Sequence, residues 1–174
     1  MKKLYILRHA KSSWDQPDLA DFDRPLNQRG IITAPFMGEL IARKRYLADV
    51  MISSPAKRSR QTAHLVKESS GYQANLLFDE RIYEASPQVL RQILSEIDDK
   101  IISAMIVGHN PGIEGFIRYI TGDIVQMPTA ALASLSIEID KWSELSAGSG
   151  TLQEVIRPKE EMKKEARTFP FDQR

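Results

Sequence analysis

The sequence predicts an α/β domain of three layers, an α/β/α sandwich with a mostly parallel central sheet. Three observations carry that expectation. Short aliphatic runs without polar alternation, Leu4 to Leu7, Val50 to Ile52 and Ile101 to Val107, have the composition of strands covered on both faces. Helix-start signals follow them, as in Ser53-Ser54-Pro55 and Gly108-His109-Asn110-Pro111. The length of 174 residues and a hydrophobic content of 42% suffice for one core without disulfides or a structural metal, so residues 1–174 are expected to form a single domain.

The first strand, Leu4 to Leu7, ends abruptly in Arg8 and His9. Asn27 can cap a helix carrying Ile31 and Phe36 to Ala42, in which Pro35 should force a break or a bend. The second strand, approached through Leu47, leads to a helix with a serine N-cap and Pro55 at its first position. Ser59, Thr62, Ala63 and Val66 share one side of that helix, which ends near Gly71. Ser86-Pro87 opens a helix whose stripe is Val89, Leu90, Ile93, Leu94 and Ile97. After the third strand, Ile113, Phe116, Ile117 and Ile120 define a helix that Gly122 terminates. Alternation in Ala131 to Ile139 and Leu152 to Ile156 predicts two further strands, joined by a loop containing Gly148 and Gly150. Residues 159–174, KEEMKKEARTFPFDQR, read as a charged tail that Phe169 and Phe171 could dock.

Composition excludes several classes of function. Lys and Arg number 24 against 23 Asp and Glu, so no global field recruits nucleic acid or a membrane surface, and any anion site must be local. Cysteine is absent, which removes disulfides and Cys-ligated zinc. The apolar run after Met1-Lys2-Lys3 is too short for a signal core, and no stretch reaches the length of a membrane span; a soluble, cytoplasmic protein is expected. Oligomeric state carries no signal in the sequence.

Open α/β sheets bind ligands at the carboxyl ends of their parallel strands. The residues placed there are Arg8 and His9, then Ser53, Ser54 and Arg58, then Gly108, His109 and Asn110. Lys57, Arg58 and Arg60 fall in the first turns of a helix, where the dipole disfavours each cation by roughly 0.3–1 kcal/mol. A carboxylate such as Asp15, Asp23 or Asp79 could compensate; so could a bound phosphate, held by guanidinium forks and helix-start amides. Convergence of Arg8, Arg58 and His109 on one end favours the phosphate. His64 lies on a polar stripe between Arg60 and Glu68 and is given no role.

Such a site suits phosphoryl transfer. A neutral imidazole at His9 is a competent nucleophile, and adjacent guanidinium groups keep it neutral. Arg8, Arg58 and His109 could stabilise charge spread over the transferring oxygens without a metal or other cofactor. A proton must reach the leaving group, and Glu84 is the candidate donor.

These motifs resemble the histidine phosphatase superfamily, which includes the cofactor-dependent phosphoglycerate mutases, and most closely its small SixA-like phosphohistidine phosphatase branch. The resemblance rests on Leu7-Arg8-His9-Ala10, on D-R-P-L-N-x-R-G from Asp23 to Gly30, on S-S-P-A-x-R-x-x-Q-T-A from Ser53 to Ala63, and on V-G-H-N-P-G from Val107 to Gly112. It implies a phosphoglycerate mutase-like fold, a phosphohistidine intermediate on His9, and a phosphate pocket of Arg8, Arg58 and His109. It places the mutase proton donor on Glu84, within Ile82-Tyr83-Glu84, and leaves Ser12 as either a phosphate donor or a turn former. Two departures stand out: the usual R-H-G-E is Arg8-His9-Ala10-Lys11, and Asp15 replaces an asparagine that mutases place near phosphate.

The function expected is a metal-independent phosphatase acting on a phosphorylated substrate. With no lid insertion between the Ser53 and His109 motifs, hydrolysis is favoured over a mutase, and the open mouth could admit a phosphohistidine-bearing protein. A small-molecule phosphomonoesterase and a non-catalytic phosphate-binding module are the alternatives. A His-ligated metal hydrolase fits poorly, because His64 stands apart and the arginines would repel a cation.

Overall fold

A computed structural model of the chain describes residues 1–168; Phe169 and Phe171 lie outside the described residues. Eleven principal elements follow one another: β1 (Lys2–Arg8), α1 (Gln28–Arg43), β2 (Val50–Ser53), α2 (Lys57–Ser70), β3 (Asn75–Phe78), α3 (Pro87–Ser95), β4 (Ser103–Gly108), α4 (Gly112–Thr121), β5 (Leu132–Ile137), β6 (Gly150–Ile156) and α5 (Pro158–Thr168). The strands form one sheet in the order β3-β2-β4-β1-β5-β6. The first four are mutually parallel, and β5 and β6 each run antiparallel to the strand before them in that order.

Period-two alternation along the buried strands builds the two outer layers. Leu4, Ile6, Ala104 and Ile106 face the layer of α3 and α4, where Leu90, Leu94, Phe116 and Ile117 meet them. Tyr5, Leu7, Met105 and Val107 face α1 and α2 through Met37, Ile41, Ala63 and Val66. Each aliphatic side chain buried this completely contributes roughly 1.5–3 kcal/mol before entropy is counted. Three-layer α/β/α architecture with a mostly parallel sheet is thus what the sequence led us to expect.

Three local expectations are corrected, and a fourth, at Pro35, is narrowed from a break or a bend to a single helix. Helix α1 runs through Pro35 without a break; the carbonyl deprived of a partner is that of Ile31, which is 47% exposed and can be hydrated. Helix α2 starts at Lys57 with Ala56 as N-cap, not a serine, because the Ser54 side chain is turned towards His109. In α4, Pro111 is the N-cap and helical residues begin at Gly112. Residues 159–168 are not a tail but most of α5, which opens on Pro158, carries Glu160 and Glu161 in its first turn, and is tied to α1 by an Arg43–Glu165 ion pair. Edge strand β3, with its largely exposed pattern, falls in what the sequence showed only as a short helix and strand connection.

Register brings the functional strand ends level. Arg8 pairs with Gly108, and Ser53 with Val107. His9 N–H donates to the Gly108 carbonyl at 3.1 Å, and Ala130 N–H donates to the His9 carbonyl at 3.0 Å. The residue after the first strand is therefore clamped on both sides by backbone.

Candidate active site

His9 is only 6% exposed, and its Nδ1 lies 2.7 Å from the Ala10 carbonyl. With the ring proton assigned to Nδ1 and donated to that oxygen, Nε2 keeps its lone pair. Burial pushes the His9 pKa down to about 3; the hydrogen bond to Ala10 opposes this, while His109, Arg58 and Arg8 add to the depression. His109 stands beside it with ring centroids 5.1 Å apart. Its pKa is pushed down to about 4, first by burial and then by Arg58. Both rings are neutral near pH 7.

Three elements hold His109. Ser54 Oγ approaches Nε2 at 2.8 Å, Ser59 Oγ at 3.3 Å, and Tyr83 presents its edge at 5.6 Å between centroids. If the Ser54 hydroxyl donates to Nε2, the Nδ1 position carries the proton. Among the described residues His109 Nδ1, Arg8 Nε and Arg58 Nε are buried without a hydrogen-bond partner. Buried donors of this kind are rare and call for an acceptor.

Arg8 donates through Nη1 to the Met127 carbonyl at 3.0 Å. That carbonyl also accepts from Asn110 Nδ2, and Glu114 accepts from both Asn110 and the Met127 N–H, so the β1 tip is fixed to α4. Burial lowers the Arg8 pKa, Glu114 opposes this, and the charge of Arg58 adds to the fall. Thr62 ties the second arginine to His9: its Oγ1 donates to the Arg58 carbonyl at 2.7 Å and accepts from the Ala10 N–H at 2.9 Å.

Arg58 has an anionic partner that sequence reasoning missed. Its Nη1 donates to the Asp21 carbonyl at 2.6 Å and its Nη2 to Asp21 Oδ2 at 3.0 Å. The same carboxylate accepts from Tyr83 Oη at 2.7 Å and Arg24 Nη1 at 2.8 Å. The Tyr83 hydrogen bond, then those of Arg24 and Arg58, hold the Asp21 pKa far below the usual carboxylate range against a smaller opposing effect of burial. The compensating carboxylate is therefore Asp21, not Asp15, Asp23 or Asp79. Asp79 instead pairs with Arg81, and Asp15 is exposed. No local pattern separates Asp21 from Asp15, Asp18 and Asp23 in the same irregular loop.

The remaining sequence-predicted residues divide. Glu84 joins Asp21, Arg58, Tyr83 and His109 around a cavity of about 400 Å³, as an exposed residue at its rim. Its backbone is left-handed, with φ 58°, a conformation that costs a non-glycine residue on the order of 1 kcal/mol. The turn is pressed onto α4 so closely that a Cβ on Gly112 would stand 2.3 Å from the Ala85 carbonyl oxygen. Gly30 plays the matching part for the β1 tip, where a Cβ would meet the Lys11 carbonyl at 2.3 Å. Ser12 is buried away from this cavity and accepts from Arg24 Nη2 at 2.6 Å, so it holds the residue that holds Asp21. Lys57, Arg60 and His64 are exposed. Among the described residues, no group of three or more His, Cys, Asp or Glu side chains is placed to hold a metal ion.

Two imidazoles and two guanidinium groups thus stand at the carboxyl ends of the parallel strands of a mixed sheet, a combination of groups suited to an anion. The model of the histidine phosphatase superfamily, branch 1, matches residues 4–101, and the chain belongs to that superfamily. It is accordingly a phosphatase by class. A chloroplast protein of Arabidopsis thaliana is 31% identical over 86% of this chain and 72% of its own length, and a Mycobacterium leprae protein 31% over 84% and 96%. Among solved structures, an Agrobacterium tumefaciens protein assigned as the phosphohistidine phosphatase SixA superposes with a TM-score of 0.78 at 28% identity, covering 90% of this chain and 98% of that one. The chain is thus SixA-like. His109 lies beyond the matched family segment, and it is the fold that brings it to His9.

Proposed function

We propose that the chain hydrolyses a phosphoryl group through a phosphohistidine intermediate on His9, with protein-borne phosphohistidine as its substrate. One observation carries this reading: a buried imidazole whose ring stands 5.1 Å from that of His109 and whose pKa is pushed down by burial and, to a lesser extent, by the charges of His109, Arg58 and Arg8.

In the first step His9 Nε2 attacks phosphorus, a P–N bond forms, and the bond to the leaving group breaks with its electron pair going to that group. Arg8, Arg58 and the His109 Nδ1 donor take the charge on the equatorial oxygens. Arg58 must exchange Asp21 for the phosphoryl group as substrate enters. Water then attacks phosphorus, Glu84 accepts its proton, and the P–Nε2 bond breaks to restore His9 and release phosphate. Because guanidinium groups carry the charge, the reaction is expected to need no metal and no cofactor.

The substrate class follows from the acid available. Asp21 is held as an anion and has no proton to give. A phosphohistidine protonated on its far ring nitrogen departs as a neutral imidazole, so it needs no acid from the enzyme near pH 6.5. Only two helices, a four-residue strand and a turn join β2 to β4, and of that connection Arg58 and the Tyr83-Glu84-Ala85 turn line the cavity, which supports a mouth open enough for a protein side chain. The rim position of Glu84 favours a second reading, a small-molecule phosphomonoesterase, whose alkoxide leaving group would require that proton. No helix of the described residues is long and apolar enough to cross a membrane, and the reading places the enzyme in the cytoplasm.

The test is rapid-quench labelling with ³²P-labelled histidine-phosphorylated peptide in the presence of a chelator. Acid-labile label on the wild type and none on His9→Ala is the expected result. Label retained by His9→Ala, or phosphoserine turned over in preference to phosphohistidine, would overturn the nucleophile or the substrate class respectively.

A further inference from the structure

On the far side of β1 from Arg58 lies a second concavity, of about 610 Å³, between the start of α1 and α5. It opens at the same end of the sheet as His9. Leu7 pairs with Leu132, and Leu132 with Ile156, so Arg157 and Pro158 leave β6 level with the Arg8-His9 tip. One wall is Lys11, two residues past His9; another is Thr129, next to the Ala130 N–H that donates to the His9 carbonyl.

Its chemistry is lopsided. Lys11, Arg29, Arg157, Lys159 and Lys163 surround it with Glu160 as the one carboxylate, in a chain whose net charge is only +1. Among the described residues none of these five cations forms an ion pair, whereas Arg43, Lys44, Arg81 and Lys164 do. Helix α5 divides by face: Glu161, Lys164 and Glu165 are paired, while Lys159, Met162, Lys163 and Ala166 recur at helical spacing towards the cleft. The floor is apolar, with Ile32 58% exposed on α1. A concave cleft does not fit a flat bilayer, and its lining holds no aromatic ring on which a base could stack.

We propose that this cleft docks an acidic, amphipathic segment of the phosphorylated protein substrate, apolar side chains on Ile32 and Met162 and carboxylates on the basic rim. The proposal rests on the phosphatase reading above and adds where the protein carrying the phosphoryl group is held. Lys11, two residues past His9, and Thr129, beside the Ala130 that bonds the His9 carbonyl, carry the cleft wall towards the nucleophile, so one polypeptide can occupy both. Small phosphate esters have no use for it.

Fluorescence anisotropy tests it with a labelled helical peptide bearing leucine on one face and glutamate on the other. Wild type and His9→Ala should bind alike, Lys159→Glu/Lys163→Glu roughly tenfold more weakly, and added salt should weaken wild-type binding. Both lysines are exposed, so the double variant should keep its Tm and its rate on para-nitrophenyl phosphate. A histidine-phosphorylated peptide on an acidic carrier should show a higher kcat/KM than one on a neutral carrier, and the double variant should erase that preference.

Absent binding, unchanged binding in the double variant, or tighter binding of a single-stranded oligonucleotide would overturn the proposal. So would tighter peptide binding after deletion of residues 169–174, or a wild-type dimer that Lys159→Glu dissociates, because either gives the cleft another occupant. If the peptide binds as described but no phosphoenzyme forms, the docking site stands and the catalytic reading fails.

Discussion

On the β2 and β4 flank of His9 the arginines next to the site have protein partners: Arg58 and Arg24 share Asp21, and Arg8 Nη1 donates to the Met127 carbonyl. On the β5 and β6 flank five cations surround a cleft with one carboxylate. The first arrangement fixes geometry, since buried charge held in a network has little freedom to move. The second leaves charge solvated and available at long range, which suits capture of a partner more than chemistry. On the proposed reading, the same edge of one sheet separates reacting from recognising.

Substitutions should reveal that separation. His9→Ala should lower hydrolysis of para-nitrophenyl phosphate by roughly 10³-fold or more, measured in steady state. Arg58→Ala should cost roughly 10²–10³ in kcat/KM on the same substrate. A Lys163→Glu variant that lost comparable activity would dissolve the contrast between the flanks. Glu84→Gln should slow phosphoenzyme hydrolysis for every substrate, and phosphoenzyme formation by a further roughly 10²-fold on alkyl phosphates alone, because para-nitrophenolate and phosphohistidine leave without an added proton. Single-turnover phosphoenzyme formation that falls equally on all three would deny Glu84 the role of acid.

Asp21→Asn should tighten inhibition by inorganic phosphate several-fold, because the carboxylate competes for Arg58 and the amide competes less. Weaker phosphate binding would mean instead that Asp21 mainly orients Arg58. The last effect is absent at neutral pH and grows in acid. Between pH 6.5 and about 3 the unfolded chain protonates the His9 ring while the folded protein does not, so stability falls as pH falls through that window. The loss is on the order of a few kcal/mol for a ring this buried. Tm should therefore drop more steeply with acid for the wild type than for His9→Gln, and parallel curves would show that the ring is not held neutral by the fold.

The grouping of the candidate site residues was largely legible in the sequence because they sit at strand ends and helix starts, where hydrophobic runs stop at fixed places. Arg8, His9, Arg58 and His109 are all of that kind. Asp21 was not legible: it belongs to an irregular loop with three other aspartates, and only the path of that loop over α2 selects it. The basic flank was hidden differently. The charged composition of 159–168 masked α5, although Pro158 and two glutamates in the first turn are helix-start signals. Lys11, noted only as a departure from R-H-G-E, acquires meaning once α5 is beside it. Pro35 left a break and a bend both open, because whether the freed carbonyl can meet water decides whether the helix continues, and periodicity does not tell that.

The chain has two tryptophans, and they could hardly be placed more differently. Trp142 is fully buried, whereas Trp14 is 71% exposed and lies on the guanidinium of Arg24 at 3.2 Å from ring centroid to Cζ. Arg24 is also the residue that grips Asp21. An oxyanion that drew Arg58 away from that carboxylate should disturb the cation over the indole, so titration with inorganic phosphate is expected to shift the emission of Trp14, an optical gauge of occupancy readable without label or turnover.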